Sequence, residues 1–463
     1  MVAREQETGG QSLNQQPQIV GITSQHTQHK DNEGTIRIIL TADNHLSAYS
    51  PKLSPARLAE RRRRLRAAFK QTVDTAIERH VHLFIQAGDL FDSVDPRNLE
   101  RDFVAAQLMR LHEAGIHLFA VSGNHDTPRQ KTEQGGAAPQ VIYHRLHRMY
   151  FFSSSDRVEP VQIEAAGLKL AVAGLSYHPG IAPGIDPLDH VEIADPDGII
   201  ARADQGIFIL HTAIEGHAFP GEMETFIRRS SLAKLDGFGL IVAGHVHAYD
   251  RFSIGDKAVV VCGATERMEF GQSEDKTGFV YLELSRNGLR HAEHVLIKPQ
   301  PRHVVMLRTT ELWPPQPAHT SPVSQDVPVA IPTVRDSAIA SPMERIMQQL
   351  EPHCTAEAMV RLTLEGPLTR EQYHTLDMHS IWLYGQQRTF SFEIDESGLL
   401  LISDLFPDAI ERGERIAPRE MLENIAQEYM AQIEGQESRI LWEKTRQRVL
   451  DRYDELAGRE AEQ

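Results

Sequence analysis

Only two cysteines, Cys262 and Cys354, occur in 463 residues. That argues against a disulfide framework and for a reducing compartment. No apolar run reaches the ~18 residues of a membrane-crossing helix. Residues 1–16 have neither the basic start nor the apolar core of a secretory leader. The chain is expected to be soluble and cytoplasmic, with no membrane partner. Positive charge is scarce too: 48 Lys and Arg stand against 64 Asp and Glu, a net charge of −16. A general basic coat, which would hold nucleic acid by counterion release alone, is missing. So is the Gly-x-x-x-x-Gly-Lys-Ser/Thr phosphate loop, and any ATP dependence would have to come from a partner.

What is present is a globular 41% of hydrophobic residues and a pattern of polar clusters in the first half. Asp43-x-His45, Gly88-Asp89-x-x-Asp92, Gly123-Asn124-His125-Asp126, His211 and Gly244-His245-x-His247 each end or follow an apolar run. The runs, at 36–40, 83–87, 117–121, 206–210 and 239–243, read as buried strands. A doubly wound sheet delivers functional groups to the carboxyl ends of its strands, so the clusters can converge on one crevice. A lone Asp-x-His or His-x-His is usually a surface or core feature; five such clusters at strand ends are not. Hard carboxylates, an amide oxygen and imidazoles suit Mn, Fe or Zn, and the absence of thiolate argues against a closed structural zinc site. Two-metal hydrolytic sites hold their ions roughly 3.5–4 Å apart around a bridging carboxylate. Asp89, on a tight turn after Gly88, is placed to be that bridge.

These motifs resemble those of the calcineurin-like metallophosphoesterases. The segment Gly263-Ala264-Thr265-Glu266-Arg267-Met268-Glu269-Phe270-Gly271, then Lys276-x-Gly278-Phe279-Val280, is similar to the stretch after Gly-His-x-His in SbcD-type DNA repair nucleases. The turn Gly88-Asp89-Leu90-Phe91-Asp92 and the order of the clusters agree, and the resemblance covers roughly residues 36–285. Ser47 departs from it, standing where the family often has Gly.

The resemblance implies an α/β fold: a metallophosphoesterase sandwich core, a smaller α/β capping domain and a C-terminal helical tail. It implies two divalent metal ions, Mn2+ foremost, with Asp43, His45 and His247 on the first, Asp89 bridging, and Asn124, His211 and His245 on the second. His125 is left facing the substrate, suited to protonate the leaving oxygen, with Asp92 as its orienting partner or simply a turn cap. The implied activity is an Mn-dependent DNA exonuclease or endonuclease in repair. The implied partners are DNA, a second copy of the chain held through a helix bundle, and an SbcC-like coiled-coil ATPase docked on the C-terminal helices. A phosphodiesterase or phosphatase for small-molecule or protein substrates, and a non-catalytic DNA-end scaffold, are the competing readings.

The expected organisation is a disordered tail over 1–34, a nuclease domain over 35–298, a capping domain with a Pro-rich linker over 299–412, and a helical region over 413–463. Helices are expected over 55–80, from the spacing of Leu65, Phe69, Val73, Ala76 and Ile77, and over 98–113, stopped by Gly115. The Arg61-to-Arg64 run reads as a solvated face, and Lys52, Arg97, Arg129 and Lys131 as surface charges. The Pro/Asp-rich stretch 174–207 reads as a long loop. Strands are expected at 258–261, 278–284, 303–308, 359–364 and 389–394, with helices near 343–350 and 370–378. Residues 418–456 carry an amphipathic helical pattern.

Overall fold

The five apolar runs all become strands, but of two sheets rather than one. In the computed structural model the described residues are 34–130, 136–217, 225–272, 276–314, 340–402 and 442–451. The chain divides into two compact units, Met1–Gln300 and Pro301–Gln463.

In the first unit, one six-stranded sheet contains β1 (Thr35–Thr41), β2 (Leu83–Ala87), β3 (His117–Val121) and β4 (Tyr150–Phe152), all parallel. The other is built on β5 (Val161–Ala165), β6 (Leu168–Leu175), β7 (Gln205–His211) and β8 (Leu240–Gly244), with β9 (Asp250–Ile254) and β10 (Lys257–Val261) on its far side. Here β6, β7, β8 and β10 are parallel, while the hairpin partners β5 and β9 run antiparallel at the edges. Antiparallel β11 (Gly278–Ser285) and β12 (Gly288–Leu296) complete the first sheet beside β1.

Alternating side chains explain why both sheets are buried on both faces. Ile36, Ile38 and Leu40 of β1 meet Ile207, Ile209, Leu240 and Val242 of the second sheet in a shared core. Ile39 and Phe84 point the other way, onto Leu65, Phe69, Val73, Leu108 and Leu111. Those residues belong to helices α1 (Pro55–Glu78) and α2 (Asn98–Glu113). Phe208, Leu210 and Ile241 form a third layer with Leu232, Leu235 and Phe238. The result is a sandwich with helices outside, and a strand apolar on both faces is what this packing demands.

Helix α1 starts at Ser54, whose side chain accepts from the Arg57 N–H, with Pro55 at its first position. Arg61 corrects the expectation of a solvated basic face: it is only 3% exposed. The stretch 174–207 is not one loop either. Gly174 and Leu175 finish β6, and two carboxylates then fold the remainder. Asp186 accepts from the N–H groups of Leu188 and Arg228, and Asp195 from those of Ile199 and Ile200.

The second unit is a parallel three-stranded sheet of β13 (Arg302–Arg308), β14 (Met359–Thr369) and β15 (Ser391–Ile402). Its core joins Val305, Leu307, Val360, Leu362 and Phe392 to Ile346 and Leu350 of α3 (Pro342–Leu350). The helix expected near 370–378 is α4 (Arg370–Thr375), and a second one that was not expected, α5 (Met378–Arg388), follows it. Asp377 separates them by capping α5, its carboxylate accepting the Ser380 N–H at 3.0 Å. All but residue 34 of the tail 1–34, most of the Pro-rich linker and most of 418–456 lie outside the described residues; 442–451 is helical. Among the described residues no helix is long and apolar enough to cross a membrane.

Candidate metal centre

The carboxyl ends of β1, β2 and β3 from one sheet and of β7 and β8 from the other open onto one site. Two of the strand-end loops are laced together by backbone. The N–H groups of Asp43, Asn44, His45 and Leu46 donate to the carbonyls of Gly88, Asp89, Asp89 and Leu90 at 2.9–3.1 Å, and the Asp92 N–H returns to Leu46. Asp43, His45, Asp89 and His245 all have positive φ, between 45° and 87°. Such backbone costs of order 1–3 kcal/mol per residue and persists where the surroundings fix it. The glycines before the clusters allow close approach: a Cβ on Gly88 would overlap the His211 ring, and one on Gly123 the Asp89 carboxylate.

All the predicted donors except His245 fall into sets of mutually close ligand atoms or onto them. Asp43, His45 and His247 form one set, and Asp43, Asp89 and His211 another. In the first, the Nε2 atoms of His45 and His247 lie 3.3 Å apart, with Asp43 Oδ1 3.8 Å from His247. In the second, His211 Nε2 is 3.3 Å from Asp89 Oδ2 and 3.9 Å from Asp43 Oδ1. The Asn124 amide oxygen sits between His245 Nδ1 at 3.0 Å and His211 Nε2 at 3.2 Å. His211 Nδ1 is held by the Ala87 carbonyl at 2.8 Å, leaving Nε2 for the site.

The electrostatics fit a cation. Asp43 and Asp89 are each 1% exposed. Burial opposes charge on His211, yet Asp89 and then Asp43 hold its pKa up at about 9. Burial likewise opposes charge on His45, but its hydrogen bond to Asp92 and the fields of Asp89 and Asp43 raise it to about 9. Burial also works against ionised Asp89, and His211, His45 and His125 overcome it, lowering its pKa. Two buried carboxylates are thus drawing positive charge onto imidazoles that a divalent ion would take in their place. Hard oxygens with imidazole nitrogens, without thiolate, suit a borderline or hard divalent metal.

His125 is the most open of the group, its side chain 44% exposed, and it forms a third set with His45 and Asp89. Its own N–H donates to Asp89 Oδ1 at 2.9 Å, which fixes the start of the loop. The Asp92 carboxylate lies 3.2 Å from His45 Nδ1 and 3.8 Å from His125 Nδ1. The nearer approach to His125 Nδ1 is the Asp92 carbonyl, at 3.4 Å.

Several supporting residues carry no role in the sequence reading. Asp126, fully buried, accepts the N–H groups of Gly123 at 2.7 Å and Phe91 at 3.2 Å, and the Gln140 amide. Burial, then the neighbouring Asp89, pushes its pKa up to about 7. Gln86 ties Asn44 to both backbone groups of Gly88, and Asn44 donates to Thr41 and Thr265. Gln86 had a visible signal, being polar within an otherwise apolar run. Arg61 reaches from α1 to Glu266 at 3.2 Å and to the Gln300 side chain at 3.0 Å. It also donates to the Arg267 carbonyl. The segment singled out after Gly-His-x-His is therefore docked through a buried ion pair.

Fold and site together point to a class: residues 36–249 match the family described as calcineurin-like phosphoesterase. Within the class, the chain is similar to proteins named DNA double-strand break repair protein Mre11. That of Saccharolobus solfataricus is 25% identical over 283 residues, 60% of this chain and 68% of the relative. That of Sulfurisphaera tokodaii is 27% identical over 250 residues, 53% of this chain and 59% of the relative. Among solved structures, a dimetal phosphatase from Danio rerio matches 57% of this chain and 99% of its own, at 12% identity and a TM-score of 0.35.

Proposed function

We propose that this chain is an Mn-dependent DNA nuclease that hydrolyses backbone phosphodiesters. The observation that carries the reading is the convergence of Asp43, His45, Asp89, His211 and His247 from two sheets into sets of close ligand atoms, with Asn124 against His211 and His245 beside them. The similarity to repair proteins named Mre11 supports DNA as the substrate.

Asp43, His45 and His247 would hold one ion, Asn124, His211 and His245 the other, with Asp89 between them. Bound there, divalent ions act as Lewis acids toward phosphate oxygens and lower the pKa of water towards ~7. The chain's own part is to position and to move a proton. His125, open on one side and held by its N–H to Asp89, protonates the leaving oxygen. Asp92 braces the His45 ring through Nδ1, which directs Nε2 inward, and stands beside His125.

The net charge of −16 does not oppose this reading, because the ions themselves present positive charge to the phosphate. Residues 299–412 would serve as the cap, a second copy would complete a homodimer, and an SbcC-like ATPase would dock on the C-terminal helical residues 418–456. The test is metal-dependent hydrolysis of end-labelled duplex DNA beside a generic phosphodiester. Turnover of the generic ester with intact DNA would overturn the nuclease reading in favour of a small-molecule phosphodiesterase.

A further inference from the structure

The loop that leaves the first metal-facing residues carries one conspicuous side chain. Tyr49 is 70% exposed, more than any other large apolar side chain of the described residues, yet its neighbours Ala48 and Leu53 are 8% and 9% exposed. The loop beneath it is fixed on several sides. Its own N–H donates to Asp92 Oδ2 at 3.3 Å, and the Ala48 N–H to the His45 carbonyl at 3.2 Å. Arg62 Nε donates to the Ala48 carbonyl at 2.9 Å, and the Arg97 N–H to Ser47 Oγ at 3.2 Å. A single exposed aromatic is ordinary on a protein surface. This one rises from a backbone tied to the carboxylate that also lies against His45 and near His125.

We propose that Tyr49 is a stacking platform for an unpaired nucleobase next to the scissile phosphate, with the Arg62 guanidinium, bonded to the same loop, beside the adjoining backbone. The inference rests on the nuclease reading and names the form of DNA it would take. The arrangement combines two things that binding of a single strand uses: a cation for the backbone and an aromatic face for a base. A base inside a duplex already has both faces stacked, so this ring can select only an unpaired one, as in a single strand or a frayed end. Because every base has a π-face, the contact carries no sequence preference.

The test is a two-by-two comparison on a labelled single strand. Wild type and Tyr49→Ala are each given the normal oligonucleotide and one with tetrahydrofuran abasic residues around the cleavage sites. Expected is a loss of about 10- to 100-fold in kcat/KM for Tyr49→Ala on the normal strand, the range one base–aromatic stack supplies. Wild type should lose a similar factor on the abasic strand, the variant should lose little more there, and Tyr49→Phe should keep the wild-type rate on both. Equal rates for wild type and Tyr49→Ala on the normal strand would overturn the inference. So would a Tyr49→Ala defect of the same size on the abasic strand. A wild-type protein that cleaves neither strand while hydrolysing a generic diester defeats the nuclease reading itself.

Discussion

The backbone N–H of His245 donates to both carboxylate oxygens of Asp43, at 3.2 and 3.1 Å. Asp43 follows β1 of the first sheet and His245 follows β8 of the second, so one carboxylate latches the two sheets where the metals would bind. Asp43→Asn keeps an acceptor for that N–H and removes the buried charge; Asp43→Ala removes both. In EDTA, urea unfolding should show Asp43→Asn no less stable than wild type and Asp43→Ala lower by about 1–3 kcal/mol, the cost of an orphaned buried donor. Both variants should lose metal. Equal stability of the two would show that the latch contributes nothing.

Asp89→Ala and His247→Ala remove one donor from each of the two candidate sets. Each should abolish Mn-stimulated hydrolysis while leaving the far-UV spectrum of the fold intact. Full activity of either variant at saturating Mn would contradict the two-metal assignment.

His125 is treated differently. Its replacement by Ala should retain both ions and DNA binding and reduce the single-turnover rate by ~10²–10⁴-fold, the usual worth of general acid or base help. Metal analysis decides the matter, because His125 also belongs to a set with His45 and Asp89. Loss of one ion per chain would make it a ligand.

Arg61 and Glu266 are both nearly inaccessible, with side chains 4% and 5% exposed. Removing one partner alone, as in Arg61→Met or Glu266→Ala, should destabilise by about 3–5 kcal/mol, and removing both should cost less than the two losses added. Denaturant midpoints of the single and double variants test this. Additive losses would mean that the two groups do not interact.

The tail proposal is tested by truncation after Gly413. Intrinsic metal-dependent activity should stay near the full-length value, while binding to an SbcC-like ATPase and its ATP-dependent stimulation disappear. Aggregation or loss of the thermal transition would show instead that the tail's apolar face packs on the enzyme.

That these side chains would meet was legible because each follows closely on a strand-forming run, and strand ends are where open α/β sheets place function. The division of those runs between two sheets was not, since a run apolar on both faces pairs equally well in either. Arg61 was hidden for a related reason. A row of four arginines on a helix looks solvated, and only the chain's return at Glu266 and Gln300 buries the first of them. Asp126 stood in plain view within Gly123-Asn124-His125-Asp126, but its work is to hold the N–H groups of Gly123 and Phe91, a contact that needs both loops in place. Helix α5 was missed although Asp377, a capping residue, marks its start.

The central claim is metal-dependent hydrolysis of DNA at a two-ion site. Titrating Mn2+ into EDTA-treated protein, while following release from end-labelled DNA and the bound metal per chain, tests it most directly. No cleavage without metal, and activity rising as occupancy passes from one to two ions per chain, is the result expected. Cleavage undiminished in EDTA, or a full rate with a single ion bound, would contradict it.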